Sequence, residues 1–305
     1  MATFARRGFL KGAAMSAAAV AIAGQGALRL DANPLDLPVG LQLYTVRQDL
    51  AKDFDGTLKQ VAAIGYREVE AAGYYNKTAP EFLRSLHAVG LRMPSAHYPM
   101  PELQKGLSQQ IDFAKQLGLQ YMICSVPGMP PHAQPSSSGR RRFAMTLDDW
   151  KWNAEQFNKI GAETKKAGIQ FGYHNHPFEF QRIDGKVVYD QLLRWTDPKL
   201  VKFEIDIGWM VYAGADPIEY MTRYPGRFPE LHVKGVKTGY KASERRGREF
   251  PTAELGRGEI DWKRIFAVAP KAGVKHYYVE QESFPDMPVM AAIKVDYQYL
   301  HQLKA

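Results

Sequence analysis

Eight short, apolar, β-rich runs recur along this chain, their starts 25 to 49 residues apart. They are residues 40–44 (GLQLY), 67–70 (REVE), 92–97 (RMPSAH), 121–125 (YMICS), 170–174 (QFGYH), 202–206 (KFEID), 230–234 (ELHVK) and 277–280 (YYVE). Each interval leaves room for a crossover helix, which parallel neighbouring strands require. Eight strand-plus-helix units predict a (β/α)8 TIM barrel, an α/β fold, as one domain over residues 33–305.

The intervening segments carry helical patterns. Residues 55–64 place Leu58, Val61, Ala62 and Ile64 before Gly65, and residues 80–89 place Phe82, Leu83 and Leu86 before Gly90. Each is a short apolar face closed by a glycine. Residues 145–167 form a longer segment with Thr146 as the expected N-cap and Gly168 as the stop. Two long loops, residues 130–142 and 237–258, leave the carboxyl ends of the fourth and seventh strands, the end of a barrel where active-site loops sit. The second holds Arg245, Arg246 and Arg248, which read as a solvated charge run.

The N-terminus reads as an address. Arg6-Arg7-Gly8-Phe9-Leu10-Lys11 precedes an Ala- and Gly-rich apolar stretch to Gly26, resembling a twin-arginine export signal. Residues 1–32 are therefore expected to be a leader recognised by the twin-arginine machinery, with export to the periplasm. The apolar stretch is too short to favour a stable membrane span. The leader also holds four of the 40 basic residues and one of the 32 acidic ones, so the formal charge of +8 falls to +5 without it. That mild balance is compatible with anionic or neutral substrates and is weak evidence for nucleic acid, which is not expected as a partner. Cys124 is the only cysteine, so no intramolecular disulfide can form.

Four runs end in side chains able to bind metal: His174, Asp206, His232 and Glu280. The carboxyl ends of barrel strands converge, so these residues can surround one cation although they are far apart in sequence. Two imidazoles and two carboxylates suit one divalent Mn²⁺, Zn²⁺, Fe²⁺ or Co²⁺ better than Ca²⁺.

From about Leu37 onward, the segments GLQLYTVR, AAIGYREVEAAG, Ser95-Ala96-His97, YHNHPFEF, EIDIGW, LHVKGV, ELGRGEIDW and YVEQE resemble the sugar phosphate isomerase/epimerase group of the xylose isomerase-like TIM-barrel superfamily. The resemblance implies a single metal held by His174, Asp206, His232 and Glu280, with Glu70, His97, His176 and Lys234 lining the same mouth. It also implies a carbohydrate substrate and enolisation beside a carbonyl, which a divalent ion promotes by stabilising the enediolate. Glu280, or alternatively Glu70, is the expected base, and His97 or His176 the group that protonates oxygen. Lys234 would stabilise an enolate oxygen or hold a carboxylate. Tyr44, Trp209 and Trp262 are candidate stacking surfaces for a sugar.

One departure alters the chemistry. Ketose epimerases of this superfamily place glutamates at both the fifth- and eighth-strand positions, and here the fifth offers His174. An imidazole ligand is a poor carboxylate base, so two-base epimerisation loses one partner. The main expectation is a metal-dependent isomerase or epimerase acting on a ketosugar. The alternative is a lyase or hydratase, such as a 3-keto-glycoside β-eliminating enzyme. Endonuclease IV-like members of the superfamily resemble D-x-x-H at the sixth strand, where this chain has Asp206-Ile207-Gly208-Trp209, so a nuclease is disfavoured. A noncatalytic sugar-binding barrel would need the pocket alone.

Overall fold

The computed structural model describes residues 33–131, 145–241 and 250–303. The expected leader, the arginines of the 242–249 segment and residues 132–144 lie outside the described residues. Eight parallel strands close a barrel: β1 (Val39–Gln42), β2 (Glu68–Ala71), β3 (Arg92–Pro99), β4 (Tyr121–Val126), β5 (Gln170–His174), β6 (Val201–Asp206), β7 (Glu230–Val233) and β8 (His276–Val279). Each pairs with its sequence neighbour, and β8 closes on β1 through Val39 opposite Tyr277. A two-stranded hairpin, Arg182–Ile183 with Lys186–Val187, interrupts the crossover between β5 and β6.

Both faces of these strands are buried, which explains their composition. In β6, Phe203 packs edge-on against Tyr189 of the crossover helix Val188–Trp195, while Glu204 and Asp206, one residue out of phase, face the barrel axis. Successive side chains of a strand point to opposite faces, so one run supplies both an apolar wall and a polar interior.

The helices form where the sequence marks them. The long helix Leu147–Lys166 starts at Thr146, whose side chain accepts from Asp149 N while the Asp149 carboxylate accepts from Thr146 N at 2.8 Å. This reciprocal cap satisfies two otherwise orphaned donors and stabilises the helix by about 1 kcal/mol. Lys165 and Lys166 then face the negative end of the helix, and Gly168 adopts φ 78° just beyond it. Helix Phe54–Ile64 begins on the Asp53 carboxylate, and helix Ala79–Ala88 on a Thr78/Glu81 capping box. Among the described residues no helix is long and apolar enough to cross a membrane.

Three local features differ from the expected runs. Tyr44 leaves the first strand and joins a 3₁₀ turn, Leu43–Val46, because the Gln42 side chain accepts from Tyr44 N at 2.9 Å. Lys234 and Glu280 lie one residue past β7 and β8. Immediately after β6, a short helix (Ile207–Ala213) starts with Asp206 as its N-cap. Gly208 makes this possible: a Cβ there would lie 2.7 Å from the Lys234 backbone oxygen.

Candidate active site

The interstrand register builds the site. It sets His174 beside Glu204, Asp206 beside His232, Gln42 beside Glu70, and Glu70 beside Ser95. At the carboxyl end of the barrel, one ligand-type atom each from His174, Asp206, His232 and Glu280 lie within 4.8 Å of one another, and all four residues are buried. His232 Nδ1 lies 3.0 Å from Glu280 Oε2 and 3.8 Å from Asp206 Oδ2.

Lys234 rises from the end of β7 into the same cluster. Its Nζ is 2.8 Å from Glu280 Oε2, 3.0 Å from Asp206 Oδ2 and 2.7 Å from Glu282 Oε1, with the rings of Trp209 and Phe250 at 4.6 and 5.4 Å. Burial lowers the affinity of this ammonium for its proton, but the three carboxylates reverse the effect and hold its pKa well above the usual lysine value. Lys234 is thus paired with three carboxylates. Glu280 shows the reciprocal effect: burial acts to raise its pKa, and Lys234 and His232 hold it well below the carboxylate range. Asp206 is pushed up to about 6 because burial outweighs Lys234. Its Oδ1 accepts from Trp209 N at 2.7 Å, whereas Oδ2 has no well-directed donor.

A second polar layer lies beneath. Glu70 Oε2 accepts from Gln42 Nε2 at 2.6 Å and from His232 Nε2 at 2.7 Å, and Oε1 accepts from Ser95 Oγ at 2.6 Å. Glu204 Oε2 accepts from His97 Nε2 at 2.7 Å and from His174 Nδ1 at 2.9 Å, while Oε1 sits 3.1 Å from His232 Nε2. His97 also lies 3.1 Å from Glu70. Burial alone would lower the His97 pKa, yet Glu70 and Glu204 raise it to about 10. His232 is likewise raised against the effect of burial, chiefly by Glu204. Both of its nitrogens face carboxylates, which can only accept, so both carry protons in this arrangement. His174 is instead lowered by burial and by the other cations.

These cores open onto a cavity of about 420 Å³ lined by His97, His174, His176, Glu280, Glu282 and Tyr44, among others. His176 is the unengaged group of this wall: its Nδ1 is buried without a partner, and burial, with Lys234 nearby, pushes its pKa down to about 3. Phe178 stacks on its ring at 5.3 Å, and Glu179 Oε2 accepts from its backbone N–H at 2.9 Å, fixing the loop. A larger groove of about 1160 Å³ lies near the amino ends of the strands, among Lys59, Arg67, Arg92, Tyr297 and His301. It contains none of the clustered groups described above.

The structure thus brings His97, His174, His176, Asp206, His232, Lys234 and Glu280 to one place. It revises three expectations. Glu70 is fully buried below His97 and His232 with both oxygens engaged, so it is not positioned at the mouth to act as a base. Trp209 packs against Phe250 at 4.6 Å, with Lys234 over its ring, and forms a wall behind the cluster. Trp262 is 2 % exposed and sits against Phe266, away from the cavity. Tyr44 remains at the mouth, 41 % exposed, with the Arg47 guanidinium 4.0 Å from its ring centre.

Sequence reasoning passed over Glu204, Glu230, Gln42 and Ser95. Glu204 and Glu230 stand two residues before Asp206 and His232, so the strand period that turns those ligands inward also turns these carboxylates inward. Burial and the neighbouring Glu204 and Glu70 raise Glu230 well above the carboxylate range.

Comparison with known proteins agrees with this architecture. Inosose dehydratase of Clostridium perfringens is 26% identical over 269 residues, covering 81% of this chain and 89% of the relative. Among solved structures, a sugar phosphate isomerase/epimerase from Parabacteroides distasonis ATCC 8503 superposes with a TM-score of 0.71 at 28% identity, covering 87% of this chain and 93% of its own. An IOLI protein solved with a bound zinc atom shares the fold, with a TM-score of 0.65 at 10% identity over 86% of this chain and 96% of its own. The sequence model of the xylose isomerase-like TIM barrel matches residues 58–302, the greater part of the barrel, and the chain belongs to that family.

Proposed function

We propose that this chain is a metal-dependent dehydratase of an uncharged polyol ketone or keto-sugar. The reaction removes a proton beside the carbonyl and expels the β-hydroxyl as water, leaving an unsaturated ketone. The observation that carries the reading is the cluster of His174, Asp206, His232 and Glu280 opening onto a cavity beside an unengaged His176. Dehydratases among its relatives favour elimination over the isomerisation that the sequence resemblance puts first.

The donor set fits a divalent ion. It combines two imidazoles with two carboxylates, and Asp206 Oδ2 lacks a well-directed donor. When bound, such an ion polarises the substrate carbonyl and acidifies the adjacent C–H. The chain's own groups then divide the remaining work. His176 on the cavity wall carries the α-proton to the departing hydroxyl on one face; with its pKa held to about 3 it is a weak base and a ready donor, so abstraction leans on the acidity that a bound ion would give the C–H. Glu280 is already engaged by Lys234 and His232, which suits a ligand better than a free base. Tyr44 provides an exposed ring at the rim for the apolar face of a sugar. Glu102 and Glu282 on the cavity wall would repel a polyanionic nucleic acid backbone.

Incubation of metal-loaded protein with an inosose, whose carbons β to the carbonyl carry hydroxyls, in D₂O tests this reading. Growth of the unsaturated ketone's ultraviolet absorbance, with loss of water in the mass spectrum, is expected. Carbon-bound deuterium with recovery of an isomeric ketose, and no loss of water, would restore isomerisation in its place.

A further inference from the structure

We infer that Glu204 is a positioning residue that sets the tautomer of His174, so that this imidazole presents Nε2 to the upper cluster. The inference rests on the metal reading above and extends it to a residue outside the proposed ligand set.

The geometry carries the argument. Glu204 is fully buried in the middle of β6, and its carboxylate meets three imidazoles. Oε2 takes hydrogen bonds from His174 Nδ1 at 2.9 Å and His97 Nε2 at 2.7 Å, and Oε1 lies 3.1 Å from His232 Nε2. One carboxylate oxygen facing two ring nitrogens is satisfied when both nitrogens donate to it, which puts the His174 proton on Nδ1 and leaves Nε2 as the free lone pair. A proton on Nε2 would disable that nitrogen as a ligand. His232 is oriented differently: its Nε2–H points to Glu70 at 2.7 Å, which leaves Nδ1 facing Asp206 and Glu280. His97 touches both Glu204 and Glu70 and ties the two supports into one platform. Hydrogen bonds of this kind, from a ligand imidazole to a carboxylate, fix ring orientation at metal sites.

The three buried carboxylates of this layer, Glu70, Glu204 and Glu230, lie within 4.8 Å of one another but differ in what they touch. Glu204 contacts both proposed ligand imidazoles and Glu70 hydrogen-bonds one. Glu230 accepts from Tyr278 Oη at 3.3 Å, with no hydrogen bond to an imidazole. Glu230→Gln therefore controls for loss of a buried carboxyl in the same layer.

Two measurements test the inference. The first is the side-chain ¹⁵N spectrum of His174 in the unsubstituted, metal-free protein, where the Nδ1–H tautomer is expected; an Nε2–H tautomer overturns the proposal without any variant. The second is Zn²⁺ affinity by competition with a chromophoric chelator, with circular dichroism to verify folding. Glu204→Gln should weaken binding by roughly 10- to 100-fold and mix the His174 tautomers, while Glu230→Gln stays near the unsubstituted protein. Equal affinities for Glu204→Gln and the unsubstituted protein would overturn the positioning role and leave the metal reading standing. Failure of the unsubstituted protein to bind Zn²⁺ would overturn the metal reading, while the His174 tautomer in the metal-free protein separately decides the role of Glu204.

Discussion

Lys234 offers the sharpest test of how the site handles charge. Its ammonium is fully buried, 2.7 to 3.0 Å from Glu282, Glu280 and Asp206, and in the metal-free protein it is the cation nearest two of the proposed ligands. Lys234→Met keeps the stem that packs against Trp209 and Phe250 and deletes only the charge. Removing one partner of a buried ionic network costs about 3–5 kcal/mol, because the remaining charges stay desolvated and unpaired. At roughly 2–4 °C per kcal/mol for a chain of this size, the metal-free variant should melt on the order of 6–20 °C below the parent. A divalent ion supplies the lost positive charge without competing with an ammonium. The variant should therefore bind Zn²⁺ more tightly than the parent, and saturating Zn²⁺ should restore much of its melting temperature. Ligand at about 1,000 times Kd contributes roughly 4 kcal/mol, enough to offset most of the loss. The assay is thermal unfolding by circular dichroism, with and without Zn²⁺, beside chelator competition for Kd. A variant as stable as the parent without metal, or one that binds Zn²⁺ more weakly, would refute the view of Lys234 as the carboxylates' counter-ion.

Two further outcomes follow from the same physical reasoning. Asp296 is buried and its pKa is raised to about 8, first by burial, although Leu255 N and Gln281 Nε2 donate to it at 2.7 Å each. A carboxyl raised in the folded state binds its proton more tightly there than in the unfolded chain, so its contribution is full below about pH 4 and is lost as pH rises towards 8, with a slope of at most about 1.4 kcal/mol per pH unit. Asp296→Asn should remove that slope from urea-unfolding stabilities measured between pH 5 and 8; parallel curves for the two proteins would contradict it. Gly235→Ala places a Cβ about 2.1 Å from the Ala253 carbonyl oxygen, where the segment after β7 meets the returning loop through the Val236–Thr252 bridge. Backbone must move there, so a loss of roughly 1–3 kcal/mol by urea unfolding is expected, and an unchanged midpoint would show that the loop yields freely.

The sequence disclosed the barrel because parallel strands buried on both faces are written as compact apolar runs, and β5 occupies residues 170–174 as expected. It disclosed the upper cluster because convergence at strand ends is a property of the fold, independent of any single contact. The short helix Ile207–Ala213 escaped notice for the opposite reason. Its sequence, IGWMVYA, is apolar throughout, and a run with no polar face carries no 3.6-residue pattern. The lower carboxylates escaped because attention to strand ends stops one step early. In a closed barrel, a charged residue at an inward strand position has no solvent to face, so Glu204 and Glu230 needed cationic or protonated partners wherever they stood. The partners of Glu204 come from β3, β5 and β7 and that of Glu230 from β8, and pairing them requires the register between strands, which a hydrophobic pattern does not encode. The same distinction separates Glu70 from its expected role. Its alternation correctly turns it inward, but only the register with Gln42 and Ser95 shows that it lies below the imidazoles, engaged on both oxygens, where it can hold a ligand in place but has no open path to a substrate.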